Sequence, residues 1–338
     1  VTDQPSELSR ETGRADQQNA RTPGAEKSSR QSGVSADAIA TGLEYLFSRQ
    51  HKRSWTLCGP GERDSAAWVT AYVLARLGEI PAHQIHYSLR SKIDASVNWL
   101  LEIRTPKGGW RFSSGSPDDA DSTGWAVVAL RQHGRSVPEE PLHLIRRCRR
   151  LDGGFAAFPP LDPHSGGLPS SAPDVTAIAV RALASIDAAS AEFLASNLRT
   201  DLQERPCRLA SGFFVASTLL DWEPGMAPHS VVKAVRELAS SQVGHNPWEQ
   251  SLQLRCMMRL RMQSAWSVAA GLRRLQQPDG SWPGAAQLAP LSAAGDQPPA
   301  PYFDEYGILS TVTALSALAT ADLQPGLYFG SDLPFSRL

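Results

Sequence analysis

The chain reads as all-α, an α/α barrel of about twelve helices in an inner and an outer ring, and three observations predict this. Apolar residues recur with a 3.6-residue period in about twelve separate runs, with no convincing two-residue alternation between them. The runs also alternate in character. Odd-numbered ones carry more charge, as in Leu272-Arg273-Arg274-Leu275, whereas several even-numbered ones are nearly continuous in small and branched apolar residues, as in Thr176-Ala177-Ile178-Ala179-Val180-Arg181-Ala182-Leu183. A helix apolar on most sides is a buried helix. Finally, about six times a Gly- or aromatic-marked turn leads through an acidic or hydroxyl-rich segment into an apolar run. The sharpest copy is Gly108-Gly109-Trp110-Arg111-Phe112, then Pro117 to Thr123, then Gly124-Trp125-Ala126-Val127-Val128-Ala129-Leu130. A repeat of this kind sets both the architecture and the place where carboxylates gather.

Taken in order, residues 1–35 are polar and nearly free of large apolar side chains, so they cannot offset their own ordering entropy and read as a disordered tail. Helices are expected at about 36–49, 65–78, 90–103, 121–133, 139–150, 174–186, 188–201, 209–221, 229–241, 247–260, 265–276 and 307–320. They would form one barrel over 36–325, followed by a C-terminal tail at 326–338. The connections from odd to even helices are the long ones, 277–305 being the longest, and they bring the N-termini of the even helices to one mouth. Long connections in a compact domain are usually functional.

At 338 residues and 41% hydrophobic, the chain can bury a large core. A net charge of -1 gives no reason to expect a nucleic-acid partner. The basic run Arg146-Arg147-Cys148-Arg149-Arg150 falls in an amphipathic helix and reads as a solvated face. Cys58, Cys148, Cys207 and Cys256 lie far apart without paired spacing, which argues against a disulfide framework and fits a reducing cytoplasm. No apolar stretch has the length of a membrane span and residues 1–35 hold no signal-peptide core, so a soluble protein is expected, with peripheral membrane contact left open.

The stretch from Gly271 through Gln276-Gln277-Pro278-Asp279-Gly280-Ser281-Trp282 resembles the Gln…Gly-x-Trp repeat of the prenyltransferase and squalene-cyclase-like α/α barrels. That group holds squalene–hopene and class II terpene cyclases and the β subunits of protein prenyltransferases. Asn98-Trp99 through Gly109-Trp110 and Asp152-Gly153-Gly154-Phe155 are weaker copies, and the resemblance covers about residues 36–320. In class II cyclases the barrel mouth holds an Asp-x-Asp-Asp-Thr motif whose middle Asp protonates an alkene or epoxide. Asp119-Ala120-Asp121-Ser122-Thr123 falls on it, so Asp121 matches the proton donor, while Ser122 stands where the family has a further Asp.

The resemblance thus implies a cyclase or isomerase of isomerase/lyase type, acting on a small hydrophobic isoprenoid or polyene without metal or cofactor. Its alternatives are a prenyl-binding or prenyltransferase-like subunit and a non-catalytic scaffold. Protonating an unactivated alkene needs a strong acid in a dry cavity, with a hydrogen bond to its conjugate base. Asp118 and Asp119 could perturb Asp121 by like-charge coupling. Carbocations would be held by aromatic faces, for which Trp68, Trp110, Phe112, Trp125, Phe155, Phe213, Phe214, Trp248, Trp282 and Tyr306 are candidates. Trp110, Phe155 and Trp282 have a second reading, as residues that lock outer turns against helices.

Asp64, Asp174, Glu249, Asp304 and Glu305 precede or open other inner helices and could complete a ring of carboxylates; Asp and Ser there are also ordinary helix caps. Asp118-Asp119-Ala120-Asp121 is one residue too short for an Asp-Asp-x-x-Asp metal box. No Asp-x-Cys occurs, and a zinc site would have to draw Cys207 together with His164 or His229.

Overall fold

The structure, a computed structural model, describes residues 37–57, 66–160, 170–199, 212–221, 228–241, 244–288 and 302–323. The expected tails, Cys58, Asp64, Ser65, His164, Cys207 and most of the 277–305 connection beyond Leu288 lie outside these residues. The helices are α1 (37–48), α2 (Ala66–Leu77), α3 (Tyr87–Glu102), α4 (Ala120–Gln132), α5 (Glu139–Arg147) and α6 (Pro173–Leu183). They continue as α7 (Ala188–Arg199), α8 (Gly212–Leu220), α9 (His229–Ser241), α10 (Pro247–Arg259), α11 (Ala265–Arg274) and α12 (Ile308–Asp322).

The even-numbered helices are buried along most of their length and pack in a closed ring: α2 on α4, α4 on α6, and so on through α8 and α10 to α12, which returns to α2. The odd-numbered helices lie outside and bury one stripe each. In α5 that stripe is Pro141, Leu142 and Ile145, and in α9 it is Val231, Ala234, Val235, Leu238 and Ala239. The core is therefore the inside of the ring together with the layer between rings. No helix among the described residues is long and apolar enough to cross a membrane.

The repeated turn has a physical basis that recurs around the ring. The backbone N–H groups of Trp55, Trp110, Phe155 and Trp282 donate to the Oγ1 atoms of Thr70, Thr123, Thr176 and Thr311, at 3.0, 3.1, 2.8 and 3.0 Å. Each Thr lies near the start of the inner helix that follows. The indole Nε1–H groups of Trp55, Trp110 and Trp282 each donate 2.8 Å to a carbonyl of the preceding outer helix, at Leu46, Leu100 and Leu272. One aromatic thus ties outer helix to inner helix, satisfying backbone groups that burial would otherwise leave unpaired. Two residues before three of these aromatics, Gly108, Gly153 and Gly280 take φ of +91, +85 and +88°, which L side chains rarely adopt.

Two helices stop earlier than their apolar pattern. α6 ends at Leu183 because Ala184 turns left-handed at φ 50°, and α5 ends at Arg147 because Arg149 bridges to Phe155 and leads the chain into the turn. A two-residue antiparallel pair, β1 (Gln287–Leu288) and β2 (Tyr302–Phe303), joins the ends of the long connection; it is too short to register as an alternation.

Candidate functional site

The three carboxylates of the Asp-rich turn face three different environments. Asp118 is buried at the edge of the turn: Thr105 Oγ1–H donates to it at 2.5 Å and Arg111 Nε at 3.2 Å, and it borders a half-open surface groove of about 630 Å³ with Lys107, Glu140 and His143. Asp119 is the N-cap of α4. It accepts the Ser122 N–H at 2.7 Å, the Ser122 hydroxyl at 2.8 Å and the Phe112 N–H at 3.0 Å. Burial pushes its carboxyl up to about 7 against the pull of those donors. The Ser that replaces the family's Asp is therefore part of the cap, spending its hydroxyl on Asp119.

Asp121, in the first turn of α4, points into the barrel. Trp68 Nε1–H of α2 donates to its Oδ2 at 2.8 Å, and Asp121 is 9% exposed. Trp68 belongs to an aromatic layer across the ring. Its rings stack (Trp68–Tyr72 at 5.4 Å), meet edge-on (Tyr72–Trp125 at 4.8 Å, Trp68–Trp125 at 6.2 Å) or lie tilted to one another (Trp125–Phe214 and Phe214–Trp248, both at 5.8 Å). Phe112, half-buried at the mouth, lies 6.5 Å from Trp68. These rings come from α2, α4, α8 and α10 and fill the barrel axis at the N-terminal end of the inner helices.

The structure does not bring every sequence candidate to this place. Trp110 and Phe155 sit in the turn locks described above, which is the second of their two readings. Asp174 opens α6 on the helix beside α4, is 7% exposed, and accepts the Val175 N–H at 3.0 Å. Asp304 caps α12 through the Leu309 and Ser310 N–H groups at 3.2 and 2.9 Å, and burial raises its carboxyl to about 6. Glu305 is exposed. Tyr306 packs outward, its carbonyl accepting the Tyr45 hydroxyl at 2.5 Å and its ring lying 5.2 Å from the Arg49 guanidinium carbon. Among the described residues no group of three His, Cys, Asp or Glu side chains is placed to hold a metal ion.

A second charged layer closes the other end of the barrel. Arg76, Arg181 and Arg255, in the later turns of α2, α6 and α10, surround Glu79 and Asp221. Arg76 meets Asp221 at 2.6 Å and Glu79 at 3.1 Å, Arg181 meets them at 3.1 and 3.2 Å, and Arg255 pairs with Glu79 at 2.8 Å and also with Asp221. All five side chains are buried. Burial alone would raise the Glu79 carboxyl, but Arg255, Arg76 and Arg181 outweigh it and hold it well below the usual range. The Arg76 guanidinium carbon also lies 5.0 Å from the Tyr72 ring centre and 5.3 Å from that of Trp125, so this floor touches the aromatic layer directly. Sequence reasoning missed both Tyr72 and the floor. The available signal was an Arg in the later half of three inner helices, with Trp68, Tyr72 and Arg76 four residues apart on one face.

No family model matches the chain. Over 121 residues it is 34% identical to drimenyl diphosphate synthase of Streptantibioticus cattleyicolor, a match that takes in 35% of this chain and only 21% of that protein. A crystal structure of a protein from Actinoplanes superposes with a TM-score of 0.69 at 24% identity, covering 85% of this chain and 99% of the other. The type II terpene cyclase MstE from Scytonema gives 0.67 at 18% identity, with 86% and 98% covered. That cyclase has been captured with geranylgeranyl dihydroxybenzoate as substrate and merosterolic acid A as product. ent-Copalyl diphosphate synthase from Streptomyces platensis gives 0.52 at 18% identity, covering 76% of this chain and 50% of that one. With a closed inner ring, repeat turns of the Gly-x-Trp kind and an Asp-rich cap at its mouth, the chain has the α/α-barrel fold of the class II terpene cyclases.

Proposed function

We propose that this barrel catalyses proton-initiated cyclisation or isomerisation of an isoprenoid or polyene, with Asp121 as the general acid. The observation that carries the reading is the Trp68 Nε1–H bond to Asp121 Oδ2 in a buried, aromatic-walled position. An indole can only donate, so it stabilises the carboxylate left after proton transfer, which favours giving the proton up. The second oxygen of Asp121 would carry that proton to an alkene carbon: a C–H bond forms, the π bond breaks, and a tertiary cation appears beside Trp68, Trp125 and Phe214. Neighbouring alkenes close rings by attacking it. Loss of a proton from the final cation restores an alkene, so substrate and product are isomers.

Asp119 has a supporting role in this reading. With its carboxyl near 7 it can exchange a proton with the mouth. The alkyl substrate class is favoured by the aromatic layer and by the substrate and product captured in the Scytonema cyclase. The cysteine spacing supports a cytoplasmic setting, and a single domain over 36–325 remains the proposed extent.

The test is incubation of purified protein, without added metal, with isoprenoids and polyenes of graded length, read by mass spectrometry beside Asp121→Asn. A product isomeric with its substrate that vanishes in a folded variant is the expected result. Products that persist in the variant would remove Asp121 from the chemistry, and a metal-dependent product would overturn the acid mechanism.

A further inference from the structure

The turn lock keeps fixed positions on both helices that it joins. The carbonyls that accept an indole N–H, at Leu46, Leu100 and Leu272, each lie two residues before the last residue of α1, α3 and α11. Thr123, Thr176 and Thr311, which accept the backbone N–H of the aromatic, each stand four residues beyond a helix N-cap, at Asp119, Ala172 and Gly307. The same two counts at the fifth inner helix give Ala239 on α9 and Gln250 on α10, whose N-cap is Asn246. Yet the connection between them, residues 242–246, holds no Phe, Tyr or Trp. Gln253 makes the corresponding hydrogen bonds there. Its Oε1 accepts the Gly244 N–H at 3.0 Å, and its Nε2 donates to the Ala239 carbonyl at 3.3 Å. An amide can take over the bonds of an indole but not its volume. A half-open groove of about 490 Å³ lies at this place, and Ala239 and Gln250 both line it, together with Gln253 and Met257 of α10 and Val268 and Gly271 of α11. Two counts made on different helices thus meet in one cavity.

We propose that this groove binds a small planar aromatic molecule carrying an N–H or O–H donor, of the indole or phenol kind. The groove is a pocket with depth: Gln253 and Met257 on its floor are 2 and 5% exposed, and its walls come from two outer helices. The ring takes the volume that Trp110 and Trp282 take in their own copies of the repeat, and its donor reaches the Ala239 carbonyl. That carbonyl belongs to the last turn of α9, whose carbonyls lack N–H partners within the helix. It holds Gln253 only at 3.3 Å, against 2.8 Å for the indoles of the other copies. A ring seated there ties α9 to α10 as Trp110 ties α3 to α4. The groove lies in the outer layer, away from Asp121, so the proposal is independent of the cyclase reading.

The test is isothermal titration calorimetry of the whole chain with indole, phenol and 1-methylindole, in the wild type, Gly271→Leu and Gly271→Ala. Gly271 lies on the helical wall of the groove, and a Cβ there would meet only Arg274 Nη2, at 3.9 Å. A leucine at this position therefore fills the groove without a clash, and loss of a mid-helix glycine should raise the melting temperature by itself. The expected result is saturable binding of indole at one site, at least about fivefold tighter than 1-methylindole, which cannot donate. Gly271→Leu should weaken indole at least about tenfold, and Gly271→Ala, which adds one methyl, should weaken it less. Indole binding that is unchanged in Gly271→Leu places the ligand elsewhere and overturns the inference, as does the lack of saturable binding by both indole and phenol. Equal affinity for indole and 1-methylindole overturns the role given to the Ala239 carbonyl, and with it the ligand class.

Discussion

At the scale of the residue, the acidic turn shows how neighbours in sequence are divided among different tasks by what surrounds them. Asp118 has a hydroxyl and a guanidinium, Asp119 has three donors and almost no water, and Asp121 has an indole and the barrel interior. The Asp119 carboxyl, at 3.8 when unperturbed and about 7 in the fold, binds its proton more tightly in the native state. Its contribution to stability is therefore complete below about 4 and is lost as pH rises through 7. Asp304 acts in the same sense, with its loss centred near 6. Melting temperature should fall between pH 4 and 7.5, and Asp119→Asn, which keeps a capping side chain, should flatten that slope. A slope identical in the variant would show that Asp119 does not titrate in this window. The Asp-rich turn was legible in the sequence as a carboxylate site, but which carboxylate faces inward was not, because that depends on the cap geometry of α4 and on an indole 53 residues away.

At the scale of the element, the turn lock explains why the repeat is visible in the amino-acid sequence itself. Its parts keep one order along the chain: in three copies a Gly, an aromatic two residues on, and a Thr near the start of the next helix. Gly280 shows how tight the packing is, since a Cβ there would lie 2.3 Å from the Thr41 carbonyl oxygen on α1, at a φ that already disfavours it. Gly280→Ala should cost on the order of 2 kcal/mol in urea unfolding, whereas an Ala at Gly134, which has the same sign of φ but open space, should cost less. Equal costs at the two positions would mean that backbone conformation alone, and not the approach to α1, sets the requirement. Helix ends were read less well than helix centres. The left-handed Ala184 and the bridge from Arg149 to Phe155 are choices of the chain that apolar periodicity does not encode.

At the scale of the whole molecule, the barrel has an acidic end and a charge-locked end. The inner ring was legible because several even-numbered runs are nearly continuous in apolar residues, but the charged floor was not, since its five members lie between residues 76 and 255 and meet only through ring closure. Such a network is strongly interdependent. Glu79→Leu leaves three guanidinium groups facing the single Asp221 carboxylate and should destabilise the protein by about 3–5 kcal/mol, read as a lower urea midpoint with an unchanged m-value. A loss below about 1 kcal/mol would show that the floor tolerates its own imbalance.

The return of α12 onto α2 has a consequence for how the chain reaches this state. The first inner helix emerges from synthesis with one of its two ring neighbours still some 230 residues from being made, and the Gly280 turn closes against α1 at Thr41 only after ten further helices have been made. Until then the flank of α2 meant for α12 has no cover, and the seam between α2 and α12 is the latest contact of the inner ring. Folding should therefore finish slowly, with a chain shortened before α12 held by chaperones or lost to aggregation even though five sixths of its inner ring is present.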